Sequence, residues 1–105
     1  MRRVPLLLLL ALAGCGAAAA SPPPRAAIDI SGFRFRPAVE TVRAGGVVHW
    51  HNDGATLHNV RGAGSSSRAI RPGASWSRRF TRAGRYPYLC TLHPTQMRGT
   101  IVVVR

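Results

Sequence analysis

Tyr86-Pro87-Tyr88-Leu89-Cys90-Thr91-Leu92-His93-Pro94-Thr95-Gln96-Met97 places a thiol, an imidazole and a thioether within eight positions of one another. Its first residues read as a short strand, and the residues after Cys90 read as a tight loop. A second histidine lies upstream in His58-Asn59-Val60. Two imidazoles, a thiolate and a weak thioether form the donor set suited to a one-electron copper centre. The Cys-x-x-His spacing lets one turn aim Cys90 and His93 at a single point. His58 would have to arrive from another strand, which a two-sheet sandwich can supply.

The rest of the domain supports that architecture. No segment of useful length between Ala26 and Arg105 has helical periodicity, whereas short β-branched and aromatic runs recur between Gly and Pro signals. Strands are expected at Ala27–Ile30, across Phe33 and Phe35 alternating with Arg34 and Arg36, and at Val39–Val42. Further strands are expected at Val47–Asn52, His58–Arg61, Ser75–Arg82, Tyr86–Cys90 and Thr100–Val104. In the fourth, Val48 and Trp50 share one face, His49 and His51 the other. Seven or eight short strands in about eighty residues point to an all-β, antiparallel sandwich of two sheets.

The chain opens with Met1-Arg2-Arg3, an apolar run from Val4 to Ala13, and Leu12-Ala13-Gly14-Cys15. This order reads as a secretory signal over residues 1–14, and its end resembles the bacterial lipobox, in which the cysteine is acylated. Cleavage after Ala20 and an uncleaved anchor are the alternatives, and all three place the domain outside the cytoplasm. Residues 15–25, rich in Ala and Pro, would form a tether, leaving 26–105 as the domain. With Cys15 assigned to the lipid anchor, Cys90 is a lone thiol in an oxidising compartment. Burial or a metal would protect it.

All fifteen basic residues are arginine, opposed by Asp29, Glu40 and Asp53. Without Arg2 and Arg3, thirteen arginines face three acids, a net +10. Export and the lack of a basic run argue against nucleic acid. Anionic lipid and an acidic protein partner remain as ways to use the charge, beside a coding bias with no functional meaning. No Ser-His-Asp or paired-carboxylate arrangement suggests hydrolysis, so no catalytic residue is assigned.

Several motifs together resemble the cupredoxins, the small blue copper proteins, nearest the plastocyanin and amicyanin branch. They are Phe35-x-Pro37, Gly45-Gly46-Val47-Val48-x-Trp50-x-Asn52, Pro72-Gly73, Phe80, Gly84-x-Tyr86-x-Tyr88 and the Cys90 loop, and the resemblance runs from about Phe33 to Val104. It implies a Greek-key sandwich holding one mononuclear type 1 copper, with His58, Cys90 and His93 in the trigonal plane and Met97 axial. It also implies that Asn59 ties the two ligand loops together through Thr91, and that Asn52 fastens another loop. His93 would sit at an exposed apolar end, collared by Leu57, Leu92 and Pro94.

One departure concerns the axial position. Relatives place two or four residues between the second histidine and the methionine, whereas this chain has three, Pro94, Thr95 and Gln96. Counting from His93 in the shorter pattern puts Gln96 in the axial place, and counting back from Met97-Arg98-Gly99 puts Met97 there. The implied function is a membrane-tethered, monomeric carrier of single electrons between redox proteins on the periplasmic side. Copper scavenging or delivery by the same ligands, zinc binding, and a metal-free adhesion-like module are the competing readings. His49 and His51 could grip a second metal but read more simply as solvent-facing strand residues.

Overall fold

The computed structural model describes residues 21–62 and 65–105. The expected signal, Cys15 and residues 15–20 of the tether lie outside them. Alternation of apolar and polar residues builds nine strands: β1 (Arg25–Ser31), β2 (Arg34–Arg36), β3 (Val39–Arg43), β4 (Gly46–Asn52), β5 (Arg61–Gly62), β6 (Ser65–Ser66), β7 (Ser75–Phe80), β8 (Gly84–Leu89) and β9 (Arg98–Val104). They form a four-stranded sheet in the order β2-β1-β4-β7 and a five-stranded sheet in the order β3-β9-β8-β5-β6. The all-β sandwich is as expected, but its pairing is mixed. β1 runs parallel to β4 and β3 parallel to β9, because the chain crosses between sheets after β2 and again after β3.

Side-chain alternation sets the core. In β4, Gly46, Val48, Trp50 and Asn52 point inward while His51 is exposed, as the period-2 reading requires. Ile28 and Ile30 of β1, Phe80 of β7 and Ile101 and Val103 of β9 close around Trp50, which is fully buried. Truncating such a residue costs about 3–5 kcal/mol, so Trp50 belongs to packing. Its neighbour Trp76 lies directly across β7, ring centroids 5.3 Å apart, and Tyr88 meets it edge-on at 5.5 Å. Burial pushes the Tyr88 phenol far above its ordinary pKa, so the ring stays neutral inside the sandwich. On the outer face His49 and His51 each bond the serine opposite them, Ser77 at 2.5 Å and Ser75 at 2.7 Å.

The strand expected at His58–Arg61 is reduced to an isolated bridge at His58 and the short β5, and two further boundaries differ from the sequence reading. The Pro23 and Pro24 carbonyls accept from the Arg43 and Val47 amides, so the domain begins before Ala26. Gly46 makes that docking feasible, since a Cβ there would fall 2.7 Å from the Pro24 carbonyl oxygen. Phe33 is not a strand residue. With Ser31 paired to Arg34, Gly32 and Phe33 form a two-residue hairpin turn, and both have φ of 59°. Positive φ at both central positions is what the twist of a tight hairpin requires.

β5 is only two residues long, yet it brings the chain from His58 alongside β8, pairing Arg61 with Leu89 and Gly62 with Tyr88. A Cβ on Gly62 would lie 2.6 Å from Tyr88 Cα and closer still to the Pro87 carbonyl oxygen. Both are backbone atoms that cannot step aside. Gly62→Ala is therefore expected to lower stability by about 1–3 kcal/mol, read as a lower urea midpoint. An unchanged midpoint would mean that β5 is free to shift.

Candidate metal centre

Cys90 follows directly on β8, so the strand that buries Tyr88 delivers the thiol to the end of the sandwich, where it is fully buried. Three backbone bonds shape the loop after it. Cys90 N–H donates to the Met97 carbonyl (3.0 Å), His93 N–H to the Cys90 carbonyl (3.1 Å), and Met97 N–H to the His93 carbonyl (3.0 Å). The first closes the loop at its base. The last closes a five-residue turn, and this absorbs the unusual three-residue spacing. Within the turn Gln96 is exposed and Met97 fully buried.

His58 comes from the opposite side of the site. Its amide and carbonyl both pair with Ile70, at 3.3 and 2.7 Å, outside any regular strand. Its ring is buried, with Nδ1 3.9 Å from Cys90 Sγ and Nε2 3.3 Å from Thr56 Oγ1. When Nε2–H donates to Thr56, Nδ1 turns its lone pair toward the thiol. Desolvation, and secondarily the neighbouring His93, hold the His58 pKa below the usual imidazole range. The ring is thus neutral at neutral pH, the form able to bind a metal.

Asn59 joins the two sides. Its Nδ2–H donates to Thr91 Oγ1 and its Oδ1 accepts from Thr91 N–H, both at 2.9 Å. Its own amide points at Cys90 Sγ from 3.5 Å and donates to the sulfur. Asn52 does similar work one layer below. Its Nδ2 reaches the Thr56 and Ile70 carbonyls at 2.9 and 2.8 Å, and its Oδ1 accepts from Gly54 N–H at 2.8 Å. One buried amide thus fixes both the segment carrying Thr56 and the residue paired with His58.

His93 completes the group, its ring 5.4 Å from that of His58 between centroids. Phe33, read from the sequence as a strand residue with no place at the site, meets both rings edge-on, at 4.8 Å from His93 and 5.8 Å from His58. The Ser31-Gly32 pair marks a turn there, but an aromatic at positive φ gives no local sign that it will fold over a distant histidine. Phe33, beside both rings, is exposed, as are Leu57 and Leu92, the chain neighbours of His58 and His93, and Pro94.

Among the described residues, no three His, Cys, Asp or Glu side chains already form a tight cage. The centre is a contact pair, His58 and Cys90, with His93 at ring distance and the Met97 thioether tied in through the loop. The donor chemistry nevertheless fits one soft ion. A metal–nitrogen bond of about 2.0 Å and a metal–sulfur bond of about 2.3 Å span about 4.3 Å in line. The 3.9 Å between Nδ1 and Sγ lies within that reach.

The family model described as a cupredoxin-like domain matches residues 4–103. A plastocyanin of Scenedesmus fuscus is 33% identical over 89 residues, covering 71% of this chain and 91% of its own length. The amicyanin of Paracoccus denitrificans is 37% identical over 83 residues, covering 72% and 63%. Among solved structures, an oxidised amicyanin variant superposes with a TM-score of 0.71 at 33% identity, covering 76% of this chain and 82% of its own. A purple cupredoxin from Nitrosopumilus maritimus shares the fold with a TM-score of 0.70 at 24% identity, covering 74% and 98%.

The Asn59–Thr91 link can be tested without metal. Asn59→Ala removes both side-chain bonds and strands the Thr91 amide, so it is expected to cost about 2 kcal/mol. Thr91→Val leaves that amide paired and should cost less. Urea denaturation of the metal-free variants measures both, and equal midpoints for Asn59→Ala and the parent chain would contradict the link.

Proposed function

The chain belongs to the cupredoxin-like family, and from that membership we propose that it is a carrier of single electrons. Its cofactor is one type 1 copper, and the ligand set proposed for it is His58, Cys90, His93 and Met97. The observation that carries this reading is the His58–Cys90 contact at 3.9 Å, with a backbone amide directed at the sulfur. Bound there, copper would supply a one-electron couple between its cuprous and cupric states.

The chain's own residues suit that couple. Cys90 offers a buried sulfur, and His58 a neutral imidazole already oriented by Thr56. The Asn59–Thr91 link and the Asn52 bonds hold the two ligand segments in fixed relation, so little has to move when the charge of the site changes by one. Rigid ligands also make release slow, which favours a carrier over a delivery protein. Phe33, Leu57 and Leu92 keep water from the histidine end and leave an apolar surface against which a partner can pack. In the axial place Met97 is preferred to Gln96, since the thioether is buried and the amide points outward.

The setting belongs to the same proposal. An exported chain acylated at Cys15 would hold the domain outside the cytoplasm as a monomer, with a tether ending where Pro23 docks. There it would pass electrons between redox proteins.

Adding cupric ion to the full chain is expected to give an intense blue thiolate-to-copper absorption, lost in Cys90→Ser. Met97→Ala should shift the band and the reduction potential, whereas Gln96→Ala should leave both in place. The reverse outcome would assign Gln96. A colourless chain, or one merely oxidised at Cys90, would end the carrier reading. A blue site with sluggish electrochemistry and ready copper release would turn it into delivery.

A further inference from the structure

A cleft of about 590 Å³ opens between the segment after β6 and the start of β7, lined by Arg68, Ala69, Ile70, Arg71, Ala74, Ser75 and Trp76. It lies where both sheets end, β6 being one edge strand and β7 the other. The partly buried Trp76 and the buried Ile70 form its apolar part, and the exposed Arg68 and Arg71 supply its charge. Neither arginine has a carboxylate partner among the described residues. Asp53 pairs with His51, Asp29 accepts from Ser31, and Glu40 accepts from the Thr41 amide. The deficit continues along β7, where Arg78 stacks over Phe80 at 4.3 Å and has its Nη1 buried without an acceptor.

The rear of the cleft is also the support of the candidate metal centre. Ile70 lines the cleft, and its backbone pairs twice with His58. The Ile70 carbonyl further accepts from Asn52 Nδ2. An occupant would therefore stand one residue from a proposed copper ligand, in a recess whose lining does not include Phe33, Leu57 or Leu92.

We propose that this cleft is a second docking site, and that it takes an acidic segment of a protein partner. Two guanidinium groups beside an aromatic surface suit one carboxylate side chain, its oxygens on the arginines and its methylenes against Trp76. A lipid surface is the weaker match, because recruitment to anionic headgroups draws on clusters of about four to eight basic residues, and the cleft supplies only Arg68 and Arg71. The electron-carrier reading enters only in naming the partner a redox protein. The preference for an acidic segment stands on the cleft itself.

The test titrates the full chain with acetylated hexaglutamate and, separately, with vesicles of phosphatidylglycerol and phosphatidylcholine. Amide and indole resonances of Ile70, Ser75 and Trp76 are expected to move with the peptide. Arg68→Gln with Arg71→Gln should weaken peptide binding about tenfold or more. Arg82→Gln with Arg85→Gln makes the same change of charge at exposed positions by the β7–β8 turn and should alter it by no more than about twofold. Equal losses in the two double variants, or shifts confined to another face, would overturn the proposal. So would vesicle binding that depends on Arg68 and Arg71 in a chain that ignores the peptide. Running the titration on copper-free and copper-loaded chain keeps the two readings apart. Peptide binding in a chain that never turns blue would uphold the cleft and remove only the redox description of its partner.

Discussion

The reciprocal pair of hydrogen bonds between the Asn59 side chain and Thr91 is the constraint on which the candidate metal centre depends. It joins segments thirty-two residues apart in sequence, one carrying His58 and the other Cys90 and His93. Strand pairing alone brings them only as near as the Arg61–Leu89 register, beyond which both chains leave their sheet. The side-chain amide imitates a further rung of the ladder. The Asn59 main chain then adds the contact to Cys90 Sγ. One residue thereby sets both the separation of the two segments and the environment of the sulfur.

A second layer keeps that arrangement from relaxing. Asn52 is fully buried, and its amide reaches the segment of Thr56, the turn at Gly54 and the carbonyl of Ile70. Buried polar groups of this kind are costly unless every partner is present. Here the partners are backbone atoms of three residues in two segments, so displacing any one strands a buried group. The same Ile70 carries the floor of the arginine-rimmed cleft. The metal end and the basic cleft are therefore parts of one hydrogen-bonded unit.

Much of this was legible in the sequence because it follows from local rules. Alternation in β4 predicted that Val48 and Trp50 are buried and that His49 and His51 face out, and they do. The expected pairing of Asn59 with Thr91 and the fastening role of Asn52 are present as bonds. Other features gave no local signal. Phe33 alternates with Phe35 along the chain, yet it sits in a turn at positive φ and covers two histidines. Thr56 resembles any loop threonine until the fold brings its hydroxyl to His58 Nε2. The prolines at 23 and 24 read as tether, but their carbonyls are anchored by β3 and β4.

The sequence by itself determined the donor types, their order and the two-faced strands, because thiol chemistry and side-chain alternation are properties of neighbouring residues. Only the tertiary structure decided which strands run parallel, which aromatic lies over the histidines, and that Met97 turns inward while Gln96 turns out. The first two depend on contacts between segments far apart in the chain, and the third on how the Cys90 loop closes on itself. The three-residue spacing after His93 shows the difference. Counting residues leaves two axial candidates, and the bonds from Met97 back to His93 and Cys90 turn one of them into the core.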